Sequence, residues 1–331
     1  MPKLKSQMTE SELLKIYRDM VLIREFEERT AEMYSRGKVT GFCHLYTGEE
    51  AVAVGAMSAL HPDDYVISSY RDHGHCLIKG TSPKEVMAEL FGRATGTCKG
   101  KGGSMHLFDP KTNFLGGYAI VAGGIPITLG VGYAIKYRKE DKVVASFFGD
   151  GATNAGAFYE SLNMSKIWSL PIIFICENNF FGISTAVSWA SATTDIFKKA
   201  EAHGIPTEKV NGMDVMAVWE ATKKAAKYVR EGKGPYFIEA LTYRFRGHSM
   251  SDPADYRIPR EEKIWKDRDP IPNFARKLIE EGIIDSDGLR AIKEKVEREV
   301  EEAIKFADNS PWPEAIELMK DIYSEKEGEE R

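Results

Sequence analysis

VVASFFGDGATNAGAFYESLNMSKIWSLPIIFICENN, residues 143–179, decides the fold. An apolar run, VVASFF (143–148), breaks at Gly149-Asp150-Gly151, a helical stretch follows to about Trp168, and a second apolar run, IIFIC (172–176), ends before Asn178-Asn179. Continuous apolar strands bounded by turn residues and separated by a helix are the mark of a βαβ unit, whose parallel strands are covered on both faces. In open sheets of this kind ligands bind outside the carboxyl ends of the strands. Asp150 and Asn179 stand at two such ends, so a carboxylate and an amide oxygen far apart in sequence become neighbours in space. Two hard oxygens side by side suit Mg2+, which takes few protein ligands and completes its shell with phosphate oxygens. Gly149 and Gly151 leave room for backbone to approach a phosphate, and a helix starting after Gly151 would aim its N-terminal dipole at the anion. Taken alone the tripeptide reads as an ordinary Gly-Asp-Gly turn; the second strand end gives it weight.

Working outward, Thr9-x-x-Glu12 reads as a capping box for a long helix that Leu13, Leu14, Tyr17, Met20, Val21, Phe26 and Met33 continue as far as Gly37. A second box is expected at Thr47-x-x-Glu50, leaving Glu49 without a distinctive setting, and a third at Ser82-Pro83-Lys84-Glu85. The glycine-rich stretch from 92 to 130 reads as ordered loop around a ligand. Asp214 is expected to cap a helix ending at Gly232, YFIEALTYRF (236–245) reads as a strand, and Ser286 as the cap of a helix bearing Leu289, Ile292, Val296, Val300 and Ile304 on one face. The expected organisation is a helical arm at 1–40, an α/β domain with a mostly parallel sheet at 41–258, and a helical extension at 259–331.

The 331 residues carry a formal charge of only −5 with both signs interspersed, which gives no footprint for nucleic acid or anionic lipid. No run of ~18 apolar residues reads as a membrane span. Cys43, Cys76, Cys98 and Cys176 show no CxxC or zinc spacing, and MPKLKSQMTESELLKIYRDM lacks an apolar signal stretch, so a soluble cytoplasmic protein is expected. His73-x-His75 lacks a third ligand nearby, His106 reads as structural, and Lys99-Gly100-Lys101-Gly102-Gly103 departs from the GxxxxGK[ST] pattern of a nucleotide triphosphate loop.

Residues 149–179, beginning with GDG and ending with NN, resemble the thiamine diphosphate motif. GFCHLYTGEEAVAVGA, ISSYRDHGH, AELFGRATGTCKGKGGSMHLF and LTYRFRGHSMSDPADYR resemble the alpha subunits of pyruvate dehydrogenase in its bacterial and plastid-like form, over about residues 10 to 310. The resemblance implies Mg2+ held by the side chains of Asp150 and Asn179 and the carbonyl of Phe181, where other members often have tyrosine. It implies thiamine diphosphate contacts at Tyr70, Arg71, His248, Gly149, Gly151 and Ala152, and at Ala119 and Val121 beside the bent cofactor; many members have glycine where Ala119 stands. His44 and His248 are the implied catalytic histidines, with imidazoles that titrate near working pH. The implied reaction is decarboxylation of pyruvate and transfer of the acetyl unit to a lipoyl group on an acyltransferase. The implied partner is a beta subunit, in an assembly of two alpha and two beta chains, that brings the glutamate facing the aminopyrimidine. A serine matching Ser249 is a phosphorylation site in mitochondrial members.

Alternatives are an acetoin dehydrogenase alpha subunit, a branched-chain 2-oxo acid dehydrogenase alpha subunit, and an assembly subunit without chemistry. A Rossmann dehydrogenase is disfavoured because no G-x-G-x-x-G follows an early strand.

Overall fold

A computed structural model describes residues 4–322. Helix α1 (Glu10–Ser35) opens with the expected box, in which Thr9 Oγ1 accepts the N–H of Glu12 and the Glu12 carboxylate accepts the N–H of Thr9. Next come α2 (Glu50–Met57), β1 (Tyr65–Ser69), α3 (His73–Lys79) and α4 (Pro83–Leu90), the last capped by Ser82 with proline in its first turn. Strand β2 (Phe114–Tyr118) and the first half of helix α5 (Gly124–Arg138) lie where only loop was expected. The motif supplies β3 (Val144–Gly149), α6 (Gly156–Ile167) and β4 (Ile172–Asn178). A short ribbon of β5 (Phe181–Gly182) and β6 (Thr185–Ala186) leads to α7 (Val187–Ala190) and α8 (Phe197–Glu201). Strand β7 (Thr207–Asn211), α9 (Val215–Arg230) with Asp214 as its cap, and β8 (Tyr236–Leu241) complete the α/β part. Helices α10 (Pro259–Lys266), α11 (Pro270–Glu280) and α12 (Ser286–Asn309) follow.

The expected α/β class is borne out. Six strands form one sheet in the order β2-β1-β3-β4-β8-β7, every neighbouring pair parallel. Strand β4 is buried at every position because it lies in the middle and carries helices on both faces. One face packs with α1, α2, α9 and α12 in a core that runs from Leu13 through Phe147 and Ile173 to Val296 and Val300. The other is covered by α5, α6 and α8 around Phe148, Phe158, Phe174 and Phe237.

Several local expectations are corrected. Glu49, not Thr47, stands at the entrance of α2 and makes no capping bond, and the Thr47 hydroxyl has no partner. The Glu50 carboxylate instead takes the N–H of Gly48 and the guanidinium of Arg24, so a tertiary ion pair replaces the local box. Asp285 rather than Ser286 caps α12. After Gly149 the chain makes a 3-10 turn over Asp150–Asn154, and the α-helix begins only at Gly156. Strand β8 stops at Leu241; beyond it, Thr242 still bonds the carbonyl of Asn178 before Phe245 crosses to Thr47. That departure carries Arg244 away from the sheet.

Candidate active site

A cavity of about 430 Å³ opens at the carboxyl ends of β1, β3 and β4, where the parallel sheet predicts it. Its floor is the turn after β3. Asp150 is 4% exposed, and burial pushes its carboxyl up to about 6 against the pull of Arg244 and of the backbone amides of Asp150 and Asn179. The carbonyl of Asp150 accepts Thr153 Oγ1, and Lys199 Nζ ties Thr153, Asn154 and Ser191 together beneath the turn. A Cβ placed on Gly149 would meet no protein atom within 4 Å, so the chain itself does not need glycine there; the bare backbone faces open cavity.

The turn after β4 forms the next wall. Asn178 points back into the fold, donating its amide N–H to the buried Glu239 at 2.7 Å while its oxygen accepts the N–H of Phe180. That holds Phe180 at φ 70° and turns Asn179 into the cavity, where its Nδ2 donates to Glu49 at 3.0 Å. The carbonyl of Phe181 accepts a long bond, 3.3 Å, from Arg244 and keeps its second lone pair.

Two buried guanidinium groups supply positive charge. Arg71 donates to the carbonyls of Leu45 at 2.6 Å and His248 at 2.8 Å, with its Nε 3.6 Å from Glu49. Arg244 is 1% exposed, and its Nε and Nη1 have no partner. Orphaned donors on a buried cation at a cavity wall call for an anion, since leaving them bare costs more than any ordinary hydrogen bond returns.

The two histidines pack together at the other end. The ring of His44 lies 4.6 Å from that of Tyr70 and 5.1 Å from that of His248. Burial, then Arg71, pushes the His44 imidazole down to about 2, and the same two causes take His248 down to about 3. Both rings are therefore neutral across the physiological range, which corrects the expectation that they titrate near working pH. The Nδ1 of His44 has no partner.

All the residues singled out from the sequence, His44, Tyr70, Arg71, Ala119, Val121, Gly149, Asp150, Gly151, Ala152, Asn179, Phe181 and His248, line this one cavity. Residues 18–316 match the family described as Dehydrogenase E1 component. The chain belongs to the dehydrogenase E1 component family. Over 325 residues, spanning 96% of this chain and 94% of the relative, it is 46% identical to the pyruvate dehydrogenase E1 component subunit alpha of Porphyra purpurea. It is 46% identical to the protein of that name from Rhizobium meliloti (strain 1021), covering 96% of this chain and 91% of that one. It is 45% identical to the chloroplastic subunit alpha-3 of Oryza sativa subsp. japonica, covering 98% and 78%. The resemblance read from the sequence is borne out.

The cavity of this E1 family member also holds residues that sequence reasoning passed over. Glu177 ends the apolar strand IIFIC and accepts the Tyr46 hydroxyl and, at 3.1 Å, His75 Nε2. Glu49, 1% exposed, faces Asn179 and Arg71, and burial beside Glu177 pushes its carboxyl up. An acid closing an apolar strand was a usable signal for Glu177; the partners of Glu49 and Arg244 are too remote in sequence to leave one. The other histidines weighed in the sequence are spoken for: His73 joins Glu27 and Ser104, and His106 bonds the carbonyl of Gly117.

Proposed function

We propose that this chain is the alpha subunit of a pyruvate dehydrogenase E1 component and that the cavity binds Mg2+ and the diphosphate end of thiamine diphosphate. One observation carries the reading: Asp150, Asn179 and the Phe181 carbonyl offer oxygens at one cavity wall while the unpartnered nitrogens of Arg244 call for an anion at the same place. Oxygen donors for a hard dication beside buried guanidinium groups for phosphate oxygens are the donor set that a magnesium diphosphate requires. When bound, thiamine diphosphate supplies the carbon nucleophile that adds to the 2-oxo carbon, so that carbon dioxide leaves and the two-carbon fragment passes to a lipoyl group.

The chain's own residues position and compensate charge. Asp150, Asn179 and Phe181 would hold Mg2+; Tyr70, Arg71 and His248, with the bare backbone of Gly149, Gly151 and Ala152, would surround the diphosphate. Ala119 and Val121, which line the same cavity, would supply the wall against the cofactor's middle. Neutral His44, with a free Nδ1, can give or take a single proton at substrate without adding a standing charge. Excluding water from this end strengthens each of those contacts.

Among the described residues the site lacks a free acid for the aminopyrimidine, because Asp150 is assigned to the metal, Glu49 is engaged by Asn179 and Arg71, and Glu177 by Tyr46 and His75. We assign that acid to a beta subunit in an assembly of two alpha and two beta chains. Exposed apolar groups support a partner beside the cavity: Ile120 is 77% and Ile183 60% exposed, and Tyr133, Tyr137, Ile167 and Trp168 lie open on α5 and α6 and the turn after it. The proposal extends to a lipoyl-bearing acyltransferase as acceptor and to the cytoplasm as location, the latter supported by four unpaired cysteines. Among the described residues no helix is long and apolar enough to cross a membrane.

The test is to reconstitute the chain with its beta subunit, Mg2+ and thiamine diphosphate, and to compare pyruvate, acetoin and 3-methyl-2-oxobutanoate with an artificial electron acceptor. Pyruvate should give the highest kcat/KM; preference for either other substrate overturns the assignment.

A further inference from the structure

The Asn179 amide is gripped from two sides. Its Nδ2 donates to Glu49 Oε1 at 3.0 Å, and its Oδ1 accepts the N–H of Phe181 at 3.4 Å. A carboxylate only accepts and an N–H only donates, so both contacts impose the same orientation on the amide. Turning it over would set oxygen against oxygen at Glu49, at a site where both side chains are buried.

The second oxygen of Glu49 has no hydrogen-bond partner and lies 3.6 Å from Arg71 Nε. One carboxylate thus touches both an amide at the metal wall and a guanidinium at the phosphate wall. Local structure does not account for the carboxylate, since the Glu49 side chain makes no bond to the helix it precedes. Burying a carboxylate merely to fill space would be costly, so its two contacts must carry its purpose.

We propose that Glu49 is a positioning residue that turns the oxygen of Asn179 toward the Mg2+ position and sets Arg71 against the diphosphate. The proposal rests on the reading of the cavity as a magnesium diphosphate site. Asn179 has an oxygen and a nitrogen of nearly equal size, and only the oxygen can ligate the metal. Glu49 removes the choice, so the metal does not have to reorder the amide when it binds.

The test exchanges donor and acceptor. In the doubly substituted E49Q/N179D chain the glutamine introduced at 49 donates to the carboxylate introduced at 179, which offers oxygen in either orientation; heavy atoms and net charge are unchanged. Mn2+ binding is followed by electron paramagnetic resonance in the complete alpha-beta assembly with thiamine diphosphate, and cofactor binding by tryptophan fluorescence. E49Q alone should weaken Mn2+ about tenfold, the scale of one hydrogen bond to a charged group. N179D alone, with two carboxylates face to face, should weaken it at least as much. The double substitution should recover to within about threefold of the unsubstituted assembly, because the contact is restored with its polarity reversed. A purely structural role for Glu49 would instead multiply the two losses, to about a hundredfold, and that result overturns the proposal. So does E49Q binding Mn2+ as tightly as the unsubstituted chain. If the unsubstituted assembly itself fails to bind Mn2+ with the cofactor, the reading of the cavity is wrong and this inference falls with it.

Discussion

Replacing Glu89 by glutamine should unfold the wall that supports His44 at a markedly lower temperature. Glu89 sits fully buried on α4, and its two oxygens accept four backbone N–H groups: Cys98 and Gly100 at 2.8 Å each on Oε2, Gly102 at 2.7 Å and Gly103 at 3.1 Å on Oε1. The Lys-Gly-Lys-Gly-Gly loop is therefore an anion nest, and the anion is the chain's own carboxylate. Gly100 and Gly103, at φ 77° and 62°, give the loop its curl, and a Cβ on Gly102 would come within 2.2 Å of the carbonyl of His106. The loop delivers Ser104, whose hydroxyl faces His73 and the N–H of His44. Hydrogen bonds to a charged group contribute about 1.5–3 kcal/mol each, and glutamine keeps one oxygen while turning an NH2 against two donors. Two bonds lost amount to roughly 3–6 kcal/mol, reduced as the half-exposed loop relaxes and admits water; about 3–4 kcal/mol should remain. With an unfolding entropy of ~2.1 cal/mol/K per residue over 331 residues, each kcal/mol is worth about 1.4 °C, and Tm should fall by roughly 4–6 °C in a thermal scan. Glu89→Ala should fall further and recover in part when formate or acetate fills the nest. A Glu89→Gln chain within about 0.5 kcal/mol of the original would mean that water replaces the carboxylate without cost and that the nest does not hold the loop.

Asp150→Asn should lower Mg2+ and thiamine diphosphate affinity together, by at least about tenfold each, as isothermal titration of the assembled enzyme would register. The unliganded chain should be no less stable, since burial already disfavours that carboxylate; normal cofactor affinity at limiting Mg2+ would remove Asp150 from the ligand set. His44 has a depressed folded pKa, so the unfolded chain gains a proton there below about pH 6.5 and the folded chain does not until about 2. Its presence costs stability as pH falls, and His44→Gln should gain on the original by ~1.4 kcal/mol per pH unit between about pH 6 and 4; parallel denaturation curves would contradict this. Residues 246–256, where Asp252 gathers the N–H groups of His248 and Ala254 and the hydroxyl of Tyr256, should become resistant to proteolysis when thiamine diphosphate and Mg2+ bind; cleavage at the same rate with and without them would refute the ordering. Phosphate at the half-buried Ser249 would place negative charge beside that diphosphate, and we expect no such regulation in this chain.

What the sequence made legible follows burial. The central strands β3 and β4 are covered on both faces and so read as unbroken apolar runs. Three sheet strands escaped notice: β2 as Phe-Leu-Gly-Gly-Tyr and β7 as Thr-Glu-Lys-Val-Asn are the two edges of the sheet, where glycine and charge are tolerated, and β1 as Tyr-Val-Ile-Ser-Ser lies inside it but offers only a three-residue apolar run. Helix α5 begins Gly-Ile-Pro with no side-chain cap and went unseen for that reason. Thr9 and Thr47 carry the same local signal, yet only Thr9 lies at a solvent-exposed helix start, where a local bond has no tertiary rival. In the cavity, Asp150 and Asn179 were readable because strand ends announce them, whereas Glu49 acquires its role from a residue 130 positions away. Arg244 was visible as a residue, but its unpartnered nitrogens appear only once the chain leaves β8.

The division of the cofactor site between two subunits is tested by purifying this chain without a beta subunit, saturating it with Mg2+ and thiamine diphosphate, and measuring carbon dioxide released from pyruvate. With no free acid in its own half of the cavity, the isolated chain should show no turnover above the protein-free background, and adding the beta subunit should restore activity in proportion to the assembly formed. Robust decarboxylation by the isolated chain would contradict the account.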